Sequence, residues 1–94
     1  MFRMWGKLWK DHRLMENEVY ENRDRSLNRT RKVFDGVKHF CYLWNLQEPI
    51  WLDKNIREFQ RHDRTRFTQD SFIEEIDFDC FEIIVIEEDE PWEM

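Results

Sequence analysis

Apolar and polar positions alternate from the start of the chain. Phe2, Met4 and Leu8 fall on one side of a period-2 pattern, and Arg3, Trp5, Lys7 and Trp9 on the other. Alternation of this kind predicts a half-buried strand over Phe2–Trp9. Gly6 inside it marks a bulge or a close backbone approach. Lys10-Asp11-His12-Arg13 is polar enough to turn the chain, although it lacks the Asn-Gly or Asp-Gly pair of a tight hairpin. Leu14 to Tyr20 then returns as a second strand.

The period changes after a polar stretch at residues 21–26. Leu27, Val33, Phe34, Val37, Phe40, Cys41 and Trp44 recur at spacings of three and four, which places them on one stripe of a helix running to about Leu46. Ser26 or Asp24 is the expected cap. Gln47-Glu48-Pro49 is the expected stop, because proline disfavours a helical residue before it. Asp53 reads as the N-cap of a second helix through His62, with Leu52, Ile56 and Phe59 facing the core. Residues 68–73 fit a capped helical turn or a loop. Phe78 to Ile86 is rich in β-branched and aromatic residues on both faces, as suits a central strand or one covered on both sides. The order is β-β-α-α-β: an α+β domain, residues 1–86, with a three-stranded antiparallel-type sheet and two helices on one face. Residues 87–94 read as an acidic C-terminal tail.

Composition agrees with one small folded domain. Leu, Ile, Val and Phe make up 25 of the 94 residues, above the level at which a highly charged chain is expected to stay disordered. Two glycines and two prolines leave no flexible linker. No apolar run approaches the length of a membrane span, and the first residues lack the apolar core of a secretory signal. Cys41 and Cys80 make a poor disulfide framework and are expected to be reduced and buried. The expected compartment is the cytoplasm.

Charge changes the picture more than composition does. Residues 1–66 hold all 15 Lys and Arg with 10 acids, while residues 67–94 hold 11 acids and no base. Such segregation marks an interaction surface or a solubilising tail. At 100° per residue, Lys54, Arg57, Arg61 and Arg64 fall within roughly 80° of one another, with Gln60 and Arg66 nearby. A stripe of bases can track phosphates, meet an acidic protein, or form a solvated face matched by acids of the same chain. Arg25, Arg29 and Lys32, with Arg31 close by, share a face at the N-terminus of the first helix, the wrong end of the macrodipole for cations. Carboxylates from Glu74, Glu75, Asp77, Asp79 or Glu87–Glu90 are the simplest partners for them. Trp92, set among the tail acids, reads as a docking residue or as part of a gatekept hydrophobic end.

Chemistry is poorly signalled. His12, His39 and His62 lie far apart in sequence, and no CxxC, HExxH, Walker or dinucleotide motif is present. Paired carboxylates such as Glu74-Glu75 need a pocket before they can act as acid and base. The expectation is no enzyme, no cofactor, no metal and no small-molecule substrate.

Met1-Phe2-Arg3-Met4-Trp5-Gly6-Lys7, Pro49-Ile50-Trp51-Leu52-Asp53 with Phe59-Gln60-Arg61, and Arg66-Phe67-Thr68-Gln69-Asp70 with Phe72-Ile73-Glu74 resemble a group of short hypothetical proteins from Gram-positive gut bacteria. The resemblance implies a cytoplasmic bacterial origin and no particular activity. The expected role is a non-catalytic binding module, with a protein partner or a second copy as the leading reading. Nucleic-acid binding is the alternative, through Lys54, Arg57, Arg61 and Arg64. Trp5, Trp9 and Trp92 are the candidate aromatic contacts, because a core this small cannot bury every indole.

Overall fold

The computed structural model describes residues 1–89. Seven elements follow in order: β1 (Phe2–Lys10), β2 (Arg13–Asn22), α1 (Arg29–Leu43), α2 (Asp53–His62), β3 (Arg64–Phe67), a 3-10 turn (Gln69–Ser71) and β4 (Cys80–Glu87). The strands form one antiparallel sheet of four, in the order β2-β1-β4-β3. The expected sheet of three strands is therefore corrected by one edge strand. Its four residues alternate exposed Arg64 and Arg66 with buried Thr65 and Phe67, a period-2 pattern that two arginines disguise as a loop.

β1 and β2 are joined through Asp11 and His12, both with positive φ (52° and 63°). Two left-handed residues in a two-residue loop are the geometry of a type I′ turn, whose twist matches the flanking strands. The His12 N–H reaches the Asp79 carboxylate at 3.4 Å, which helps hold a conformation that glycine would adopt at no steric cost.

The start of α1 also departs from expectation. Asn28, not Ser26 or Asp24, is its N-cap, with its Oδ1 accepting from the Arg31 N–H at 2.8 Å. Asp24 instead accepts from the N–H and hydroxyl of Ser26 in a local turn, a competing use of such side chains. The helix ends at Leu43, well before Pro49. Asn45 takes the left-handed conformation (φ 55°). The Leu46 N–H bonds the Cys41 carbonyl at 2.8 Å, and the Asn45 N–H bonds that of Tyr42 at 3.4 Å. Those paired bonds are a Schellman motif, and Asn45 rather than the proline stops the helix.

In α2, Leu52 is the N-cap and Asp53 the first helical residue. Asn55 supplies the cap by accepting from the Leu52 N–H at 3.1 Å. Its side chain is buried and fully engaged, donating to Thr65 Oγ1 at 2.9 Å and to the Arg66 carbonyl at 3.0 Å, and accepting from Ser71 Oγ at 3.3 Å. One amide thus ties α2, β3 and the 3-10 turn together. Asn55 and Phe59 are the buried positions of α2, whereas Ile56, expected in the core, is 40% exposed.

Both helices cover the same face of the sheet. Phe2 and Met4 of β1, Phe67 of β3, and Phe81 and Ile83 of β4 form its floor, with Val33, Val37, Phe40 and Cys41 of α1 and Phe59 of α2 above. Phe40 stacks on Trp44 and meets Phe81 edge-on. A Cβ at Gly6 would lie 2.6 Å from the Phe40 ring. Gly6 is the close approach expected of it, made by a helix side chain; the bulges lie on the partner strands, at Met15 of β2 and Ile86 of β4. Cys41 and Cys80 are unpaired and buried, and desolvation pushes the Cys41 thiol up to about 12. Among the described residues, no helix is long and apolar enough to cross a membrane.

Candidate functional site

The other face of the sheet has no element over it among the described residues. Register alone determines what it presents. Trp5 stands opposite Val19 of β2 and Ile84 of β4, and Ile84 opposite Arg64 of β3. The next row runs Asn17, Lys7, Glu82, Arg66. Trp9 follows beside Cys80. The alternating residues of β1 opposite Phe2, Met4 and Leu8 thus meet the two arginines of β3 on one surface, although nearly 60 positions separate them in sequence.

The side chains on this face hold one another in place. The Trp5 indole N–H donates to Asn17 Oδ1 at 3.3 Å, and that of Trp9 to Glu82 Oε1 at 3.1 Å. Glu82 Oε2 accepts from Arg66 Nε at 3.1 Å. Glu82 is 4% exposed; a carboxylate this buried requires partners, and here it has a guanidinium and an indole. The hydrogen bond that Arg66 donates to Glu82 also pushes its guanidinium above the ordinary range. The Lys7 ammonium lies 3.7 Å from the Trp5 ring centroid and 5.7 Å from that of Trp9. Beyond Trp9 and Arg66 the face opens into a cleft of about 430 Å³, also lined by His12, Thr68, Asp79 and Cys80.

Ion pairs divide the cations into two groups. Arg3 pairs with Glu21 and Glu87, and Arg66 with Glu82. Near the start of α1, Arg29 binds Asp63 at 2.8 Å and Glu88 at 3.0 Å, its guanidinium 5.1 Å from the Phe59 ring centroid. Lys32, fully buried, donates to Asp89 at 2.7 Å. Neutralisation of this cluster by the chain's own acids is therefore present for Arg29 and Lys32, through Asp63, Glu88 and Asp89. Residues 90–94, with Trp92, lie outside the described residues.

The basic stripe behaves differently. Lys54 is paired with Asp70 at 2.7 Å, but Arg57, Arg61 and Arg64 have no ion pair among the described residues. Nor are the four in one line. Asp63 takes the left-handed conformation (φ 57°) and closes α2, so Arg64 begins a strand. Arg57 and Arg61 stay on the outer surface of the helix, and Arg64 turns to the uncovered sheet face beside Arg66. Helical periodicity cannot be carried through such a cap. It names Arg66 only as a neighbour of the stripe and does not reach Lys7 or Glu82 at all. Their signal is alternation in β1, β3 and β4, legible once β3 is known to be a strand.

No protein-family model, curated protein or solved structure matches the chain.

Proposed function

We propose that this protein is a non-catalytic binding module that captures an acidic macromolecule on the uncovered face of its sheet, in the bacterial cytoplasm that the sequence resemblance implies. One observation carries the reading: Trp5 and Trp9 share that face with Lys7 and Arg64, neither of which has a carboxylate partner among the described residues. Tryptophan and arginine are the residues that most often dominate binding energy. A second copy is the weaker form of a protein partner, because a face-to-face dimer sets the same surplus cations against each other. The cleft beside Trp9 lends little support to catalysis: burial pushes the Cys80 thiol up, the reverse of an activated nucleophile.

The test exploits an apparent contradiction. A chain of net charge −6 should pass through a polyanionic resin at neutral pH. The proposal expects retention on heparin at low salt, elution as salt rises, and loss of retention in a Lys7→Gln, Arg64→Gln double variant. Passage of the unaltered protein at low salt overturns it. Retention abolished by Arg57→Gln with Arg61→Gln, and untouched by the sheet variants, moves the site to α2.

A further inference from the structure

We infer that the polyanion is a single-stranded nucleic acid, whose bases stack on Trp5 and Trp9 while its phosphates meet Lys7 and Arg64. The inference rests on the binding-face reading above and adds the chemistry of the partner. Polyvalent negative charge is common to nucleic acids and acidic proteins. The feature that separates them is the aromatic pair.

Trp5 and Trp9 are four positions apart on one strand, so both rings stand on the same side of the sheet. The two distances from the Lys7 ammonium bound the separation of the ring centroids at 9.4 Å. A cation between two such rings reproduces the order base, phosphate, base of neighbouring nucleotides in an unstacked strand. Each indole N–H is already engaged, with Asn17 and with Glu82. The rings are therefore fixed at their polar edges, and what they offer a ligand is a π face. Lys7 now rests on the Trp5 ring; a phosphate draws the ammonium away and clears that face for a base. Stacking on aromatic side chains along a cationic surface is how proteins hold single strands without reading sequence.

The carboxylates of the face do not cancel its charge. Glu21 and Glu87 are used by Arg3, and Glu82 by Arg66. Of the acids in residues 67–94 that make the whole chain negative, Glu82 and Glu87 lie on this face, and both are ion-paired there. A duplex fits poorly, because its bases are stacked inward and leave none to cover the two indoles.

The deciding experiment is fluorescence anisotropy with labelled oligothymidylate of about 12 nucleotides, a length within the usual site size for single-strand binders. The same strand in a duplex and a poly-aspartate of similar charge serve as competitors. Binding is expected at low salt, with a log–log salt slope of about −1.4, or roughly 0.7 for each of two phosphates. Trp9→Leu and Trp5→Leu each weaken it by roughly 5- to 150-fold. Arg64→Gln, at an exposed position that leaves the fold intact, weakens it and flattens the slope by about 0.7. The duplex competes at least about tenfold less well than the single strand. If poly-aspartate binds the face while the oligonucleotide does not, or the Trp variants bind as well as the parent, the partner is an acidic protein and this inference fails alone. If neither polyanion binds, the binding-face reading fails with it.

Discussion

Two clusters of positive charge, both conspicuous in the sequence, meet opposite fates in the fold. At the start of α1, Arg29 and Lys32 are held by Asp63, Glu88 and Asp89. Across α2 and β3, Arg57, Arg61 and Arg64 carry no such partner among the described residues. Local composition is no guide to the difference, since both stretches are rich in arginine with scattered acids. The path of the chain decides. β4 runs antiparallel to β1 and delivers residues 87–89 to the end of the sheet where α1 begins, whereas among the described residues no carboxylate pairs with Arg57, Arg61 or Arg64. A charge matched within the chain belongs to folding, and an unmatched one is available to a partner.

Breaking the matched cluster should therefore cost stability. The largest effect is expected from Asp89→Asn, which leaves the buried Lys32 ammonium against a neutral amide. The expected loss is about 1–3 kcal/mol, or roughly 4–8 °C in Tm per kcal/mol for a domain of this size, read by thermal melting. The pair also sets a pH dependence. The hydrogen bond from Lys32 holds the Asp89 carboxyl below its ordinary value, so its contribution is complete above about pH 4. It disappears as pH falls further, through the folded-state value. The acid limb of the melting curve should flatten in Asp89→Asn. Lys32→Met keeps the buried stem without the charge, and it is expected to recover most of the loss if desolvation of the ammonium is its source.

Glu82→Gln comes next. It removes the charge from the bonds to Arg66 and Trp9, at an expected cost of about 1–2 kcal/mol. It also frees a guanidinium on the uncovered face, so polyanion binding should tighten and its salt slope steepen by about 0.7. A variant that is both weaker in the melt and stronger in binding sharpens the comparison, because the two roles of charge separate in one residue. Arg29→Gln should cost about 0.5–1.5 kcal/mol, from exposed ion pairs and the contact with Phe59, with no effect on binding. The smallest stability change belongs to the unmatched group: Arg57→Gln and Arg61→Gln should each stay within about 0.5 kcal/mol of the parent.

Much of this was legible beforehand, for reasons that differ between elements. The first hairpin, α1 and the body of α2 follow from period-2 and period-3.6 patterning, which survives folding because each element buries one face. The last strand follows from its β-branched and aromatic content, which suits its interior place in the sheet. The left-handed residues were not legible. Asp11, His12, Asn45 and Asp63 occupy conformations usually given to glycine, and their identities announce neither a type I′ turn nor a helix stop. Carrying the helical period past the cap at Asp63 misplaces Arg64, and the two arginines of β3 make the fourth strand read as a loop. Asn55 was hidden in another way: a polar residue at a core position makes sense only when Thr65, Ser71 and the Leu52 N–H are known to converge on it. Charge alone points to intramolecular acids for Arg29 and Lys32, with residues 74–79 and 87–90 equally open; that Glu88, Asp89 and Asp63 are the ones that reach them is a property of the fold. The uncovered face combines residues from three strands distant in sequence, and no local pattern could assemble it.

Indole N–H resonances report which tryptophans meet the partner. In a titration with oligothymidylate followed by NMR, the Trp5 and Trp9 indole signals should move together as the strand is added. Those of Trp44 and Trp51, packed against Phe40 and Phe67 on the helix side, should stay in place. Movement of Trp44 or Trp51 while Trp5 and Trp9 remain fixed would rule out the uncovered sheet face as the binding surface.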